Sequence, residues 1–116
     1  MPRTTNPNFM AGVPELMILR LLQGGSDMYG YQIVQAIRAE TGDVVSLGEG
    51  VVYTVLHTLE REKALKSRRK MVDGRSRTYY SVTAKGLKRY TELANNWSAL
   101  AAAIQSALEG KRHAPV

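Results

Sequence analysis

Cysteine is absent from all 116 residues. Disulfides and thiolate metal sites are therefore excluded, and a reducing, cytoplasmic setting is expected. Histidine is nearly absent too. The two present, His57 and His113, have no paired ligand spacing, so no metal and no cofactor is expected. Serine, aspartate and histidine occur, but nothing in their spacing assembles a catalytic triad, which argues against an enzyme. The glycines of "GEG" at 48–50 follow no strand and do not form a phosphate loop. Long apolar runs are missing as well. The longest, Val13 to Leu22, is interrupted by Glu15 and Arg20 and falls well short of the roughly 20 residues that span a bilayer. The opening "MPRTTNPNF" contains no apolar signal-peptide core, so neither a secretory leader nor a membrane partner is expected.

What is present is a single-domain length with 44% hydrophobic and 22% charged residues. So short a chain buries a modest core, and a second subunit would enlarge it. The net charge of +6 points to a polyanion, nucleic acid ahead of an acidic membrane surface. Its distribution is uneven. Eight of the 16 basic residues lie between Arg61 and Arg77, opposed there only by Glu62 and Asp73. Like charges repel, so a merely solvated surface does not require this crowding.

Residues 1–12 read as a flexible arm, broken by Pro2, Pro7 and Gly12. Pro14 suits the first turn of a helix that runs to Gln23 and stops at Gly24-Gly25. That helix is apolar all round, which predicts burial on every side. Ser26 or Asp27 is placed to cap a second helix ending at Thr41-Gly42, with Gly30, Ile33, Val34 and Ile37 on one stripe. Glycine at position 30 costs about 1 kcal/mol relative to alanine, so a close approach is expected there. A third helix, Glu49 to Lys63, carries Val52, Val55, Leu56 and Leu59 on one face and Tyr53, Thr54, His57, Thr58 and Arg61 on the other. Two strands, Leu65 to Val72 and Arg77 to Val82, flank "DGRS", where Asp-Gly is a strong hairpin signal.

Thr83 is a good N-cap for a fourth helix, unbroken from Ala84 to Gly110 and about 39 Å long. Along it Leu87, Tyr90, Ala94, Trp97, Ala101, Ile104 and Leu108 repeat at heptad spacing, a seam for a partner helix. Leu87, Tyr90, Ile104 and Leu108 are the expected dimerisation residues. The order predicts a mainly α fold with a small β-hairpin: a winged helix-turn-helix over residues 13–83, a dimerisation helix over 84–109 and a tail over 110–116. In such a fold one helix enters the major groove and the basic hairpin grips phosphates. Gly50, Tyr53, Thr54 and His57 on the third helix and Lys70, Arg75 and Arg77 on the hairpin are the expected DNA contacts. The competing reading is a winged-helix module that docks on protein or RNA without reading DNA sequence.

Three segments, "YGYQIVQAI" from Tyr29, "GVVYTVLHTLERE" from Gly50 and "RTYYSVTAKG" from Arg77, resemble the PadR-like transcriptional regulators in order and spacing. The resemblance covers roughly residues 13–109 and is greatest to the shorter members with one C-terminal helix. Ala64 departs from the pattern, where the family usually has glycine. The resemblance implies a homodimeric repressor on a pseudo-palindromic operator. It further implies that Tyr53 contacts the DNA backbone and that Tyr80 anchors the wing strand. Some members bind flat aromatic compounds at the dimer interface beside a tryptophan positioned like Trp97. A small planar aromatic effector, lined by Ala94, Trp97 and Ala101, is the corresponding expectation here.

Overall fold

The computed structural model describes residues 7–110. In chain order it contains α1 (Pro7–Leu21), a 3-10 turn (Gln23–Gly25), β1 (Met28–Tyr29), α2 (Gly30–Glu40), α3 (Glu49–Arg61), β2 (Leu65–Val72), β3 (Arg75–Val82) and α4 (Ala84–Glu109). The strands form one antiparallel sheet in the order β1-β3-β2.

The core is built where helical and strand periodicities converge. Ile18, Leu19 and Leu22 of α1, Ile33, Val34 and Ile37 of α2, and Val52, Leu56 and Leu59 of α3 are buried, and Leu65 and Tyr80 close the cluster from the sheet. The stripe read on α2 is buried in full, Gly30 included. A Cβ at Gly30 would collide with the Tyr53 ring, so the residue permits α2 and α3 to approach. The Asp73-Gly74 turn joins β2 to β3 with φ of 51° and 75°, the left-handed pair that a two-residue hairpin with natural strand twist requires.

Four expectations are corrected, the last of them the end of α3. First, α1 begins at Pro7, and Pro14 lies inside it rather than in its first turn. An internal proline removes a helix hydrogen bond, and Pro14 is buried within α1. The arm expected over residues 1–12 thus has helix from Pro7 onward, while residues 1–6, like residues 111–116 of the tail, lie outside the described residues. Second, neither Ser26 nor Asp27 caps α2. Met28 and Tyr29 are drawn into a third strand against Tyr80 and Tyr79, and α2 starts only afterwards, with Gln32 Oε1 accepting from the Tyr29 N–H at 3.1 Å. Third, β3 begins at Arg75, two residues early, because the turn needs only Asp73 and Gly74. Tyr79 and Tyr80 are both buried, and the alternation of the strand sets them on opposite faces of the sheet.

Helix α3 ends at Arg61, two residues before Lys63, where φ of 70° reverses the chain. The Ala64 N–H then donates to Leu59 O at 2.9 Å. The Thr83 N–H donates to Ala64 O at 3.1 Å, and Thr83 Oγ1 donates to Lys63 O at 2.7 Å while accepting from the Gly86 N–H at 3.1 Å. One threonine thereby caps α4 and fixes it to the base of the hairpin. Arg89 adds a second joint, bonding Glu62 at 2.7 Å and Glu15 at 3.4 Å. The bond to Glu62, with the coulombic pull of Glu15, raises the Arg89 pKa against the opposing effect of burial, so the guanidinium stays charged.

Candidate nucleic-acid interface

The hairpin's register decides which cations share a face. Arg69 pairs with Thr78, Lys70 with Arg77 and Val72 with Arg75. Paired residues point the same way, so Arg69, Ser76, Thr78 and Tyr80 lie on the face toward the helices, whereas Lys66, Arg68, Lys70, Arg75, Arg77 and Tyr79 lie on the other. Arg69 is held flat across its neighbour strand. Its Nη2 and Nε donate to Ser76 Oγ at 3.1 and 3.3 Å, and its Nη1 donates to Thr78 Oγ1 at 3.2 Å.

Between hairpin and α3 lies an open groove of about 780 Å³. Arg69, Ser76 and Thr78 of the inner face, together with Arg75 and Arg77 of the outer face, form its wing side; Glu49, Tyr53 and His57 form its α3 side; Tyr29, Tyr31 and Tyr80 complete the lining. Three guanidinium groups against a single carboxylate make it cationic. Tyr53 is half-buried, its ring seated on Gly30, and its centroid lies 6.3 Å from that of His57 one turn on. Tyr80 is 3% exposed. Burial first, then the Glu60 carboxylate and Tyr53, push its hydroxyl above the usual tyrosine pKa, so it is neutral at physiological pH.

Of the residues singled out in the sequence, Tyr53, His57, Arg75 and Arg77 come together in this groove. Gly50 and Thr54 are exposed on α3 beside it, with open space where a Gly50 side chain would stand. Lys70 lies elsewhere. It shares the outer face with Arg75 and Arg77 but does not line the groove, its Nζ lying 3.0 Å from Asp27 Oδ2. Arg69, Ser76 and Tyr29 also line the groove, although they were not among the expected contacts. Arg69 was legible: a two-residue turn sets it opposite Thr78, hence on the same face as Tyr80.

A second, apolar cavity of about 380 Å³ lies beside α4. Val13, Leu16 and Met17 of α1 form one wall, the loop residues Val44 to Leu47 another, and Trp97 the third. Ala94 and Ala101 are not among its lining residues. Thr41 shapes the loop, its Oγ1 donating to Ile37 O at 2.8 Å and accepting from the Val45 N–H at 3.0 Å. Among the described residues, no helix is long and apolar enough to cross a membrane.

Three helices, a short strand and a basic hairpin flanking the exposed face of α3 define the winged-helix class of DNA-binding proteins. The family model for the transcriptional regulator PadR-like family matches residues 18–92, and the chain belongs to that family, whose members are regulators rather than enzymes. An uncharacterised protein of Lysinibacillus sphaericus is 31% identical over 104 residues, 89% of this chain and 94% of its own. Among solved structures, a transcriptional regulator from Clostridium thermocellum is 29% identical with a TM-score of 0.77, covering 89% of this chain and 97% of that one. A Streptococcus mutans protein is 32% identical with a TM-score of 0.78, over 90% and 94% of the two chains. A PadR-like transcriptional regulator from Bacillus cereus is 27% identical with a TM-score of 0.74, over 89% and 98%.

Proposed function

We propose that this transcriptional regulator acts as a homodimeric repressor that reads a pseudo-palindromic operator. The observation that carries the reading is the cationic groove beside the exposed Gly50, Thr54 and His57 face of α3. That face is free to enter a major groove, and Arg75 and Arg77 reach adjacent phosphates. Phosphate contacts fix position and register, while α3 supplies the base-edge contacts. The dimer is supported by the apolar seam of α4. Leu87, Trp97, Leu100, Ile104 and Leu108 are all exposed in the single chain, a strip longer than a lone soluble helix retains without a partner. Two-fold pairing along it presents two copies of α3, which suits a site with matching half-sites.

The effector reading is supported by the cavity at Trp97. A planar apolar molecule stacked there relieves repression only by binding the DNA-incompetent geometry better than the competent one. Duplex then weakens effector binding by the same factor.

Selection of bound sequences from a random duplex pool tests the central reading. Enrichment of a palindromic motif, with binding that survives excess nonspecific duplex, is the expected result. Binding without sequence preference would instead favour a docking module. Trp97 is the single tryptophan, so its fluorescence during titration with flat aromatic compounds reports on one site. Saturable quenching that weakens when the selected duplex is present supports the effector. No saturable response across a varied panel would remove it.

A further inference from the structure

On the outer face of the sheet a chain of side chains runs from the connection before β1 to the edge of the groove. Asp27 Oδ2 lies 3.0 Å from Lys70 Nζ. Lys70 Nζ sits 4.3 Å above the centre of the Tyr79 ring. Tyr79 meets Tyr29 edge to face, with centroids 5.3 Å apart. Arg77 stacks over the other ring of the pair, 4.3 Å from the centroid of Tyr29. Arg77 and Tyr29 both line the groove, so the chain ends in the candidate DNA site.

The hairpin needs such a tie. β1 pairs only with Tyr79 and Tyr80. From Arg69 to the turn and back to Thr78, β2 and β3 pair with each other alone. A bare two-stranded ribbon is marginal and its inclination is soft. On the inner face Ser67 Oγ donates to Glu60 at 2.5 Å, near the hairpin's base. The Lys70–Asp27 pair lies farther out and on the opposite face, bridging 43 positions of sequence. Both side chains are only 29% exposed, so salt screens this pair less than a fully solvated one.

We infer that Asp27 is a positioning residue for DNA binding: it holds Lys70 and, through the Tyr79–Tyr29 stack, sets the inclination of the wing and the place of Arg77 relative to α3. Lys70 is then a strut rather than a phosphate ligand, despite belonging to the basic run. An acidic residue beside the DNA site strengthens binding. The inference rests on the DNA-binding reading above and is tested so that the two fail separately.

The full chain is titrated with its selected duplex over a range of salt, as wild type, Asp27→Asn, Lys70→Met, the double variant and Lys70→Arg. Asp27→Asn is expected to weaken binding about three- to tenfold although it removes a negative charge near phosphates. Lys70→Met weakens it equally, the double variant binds no worse than either single one, and Lys70→Arg retains wild-type affinity because it keeps both the pair and the ring contact. The slope of log affinity against log salt stays unchanged in Lys70→Met. In the free protein, amide hydrogen exchange across residues 69–78 accelerates in Asp27→Asn. Equal or tighter binding by Asp27→Asn overturns the inference. So does a salt slope flattened by about 0.9 for each Lys70 replaced by methionine, the mark of a phosphate ligand. If the wild type selects no duplex, the DNA-binding reading fails, and the exchange measurement still decides the strut: unchanged hairpin exchange in Asp27→Asn overturns it.

Discussion

The winged unit and α4 dispose of their apolar residues in opposite ways. From Ile18 to Tyr80 the leucines, isoleucines and valines of three helices and the sheet close on one another, and nine of them are essentially inaccessible. In α4 the one buried residue is Gly86, at the joint with the hairpin. Farther along, Ile104 is 42% and Leu108 78% exposed. Both regions follow sound apolar periodicity. The first finds its complement within the chain, whereas the second has run past the end of the unit that could cover it. A regular apolar stripe thus predicts burial without saying which surface does the burying.

The strongest test of this contrast sets Leu56→Ala against Ile104→Ala. Leu56 is fully buried, so its truncation is expected to lower unfolding stability by about 2–5 kcal/mol in chemical denaturation. Ile104→Ala should leave the winged unit's stability nearly intact when measured on dilute protein. An equal loss at both sites would end the distinction between a closed and an open core.

Ile104→Asp sharpens the same comparison at the level of assembly. A charge placed on a two-fold seam appears twice per dimer, with no partner. On the proposed dimer, the parent chain should sediment as a dimer and the variant as a folded monomer. A stable dimer in the variant would put the interface elsewhere than the seam.

Within the winged unit, Arg75→Ala combined with Arg77→Ala should weaken binding to all duplexes alike. The salt dependence should flatten by about 0.9 for each phosphate that is no longer neutralised. An effect confined to duplexes altered at one base pair would mean that these arginines read sequence.

The smallest expected effect is on alkaline stability. Burial raises the Tyr80 pKa above its unfolded value near 10. A raised folded-state pKa contributes stability that is fully present below pH 10 and lost as pH climbs through the folded value, because the native state retains the proton the unfolded state releases. Tyr80→Phe should make the stability of the winged unit fall less between pH 10 and 11 than it does in the parent. Parallel curves would mean that the ring is less buried in solution.

Much of the fold was legible because it rests on short-range rules. The α2 stripe, the Asp-Gly turn, the Thr83 cap and the ends of α4 each follow from a handful of neighbouring residues. The glycine at 30 announced a close approach, and the Tyr53 ring fills it. The misses share a cause. β1 is two residues long, too short to show any period, and exists only because Tyr79 and Tyr80 pair with it. Asp27 looked like a helix cap because such residues cap locally. Lys70, 43 positions away, claims its carboxylate instead. Pro14 looked like a helix start because the local rule places it there, whereas α1 continues through it.

The succession of the four helices and the hairpin, the basic charge of that hairpin and the heptad spacing of α4 were determined by sequence alone, since periodicity, turn chemistry and charge are carried by residues close together along the chain. Which arginines face the groove, which lysine is tied down, and where an apolar cavity opens beside Trp97 were decided only by tertiary structure. Strand register and packing bring together residues far apart in sequence, and the pairing of one such residue with another is not written near either.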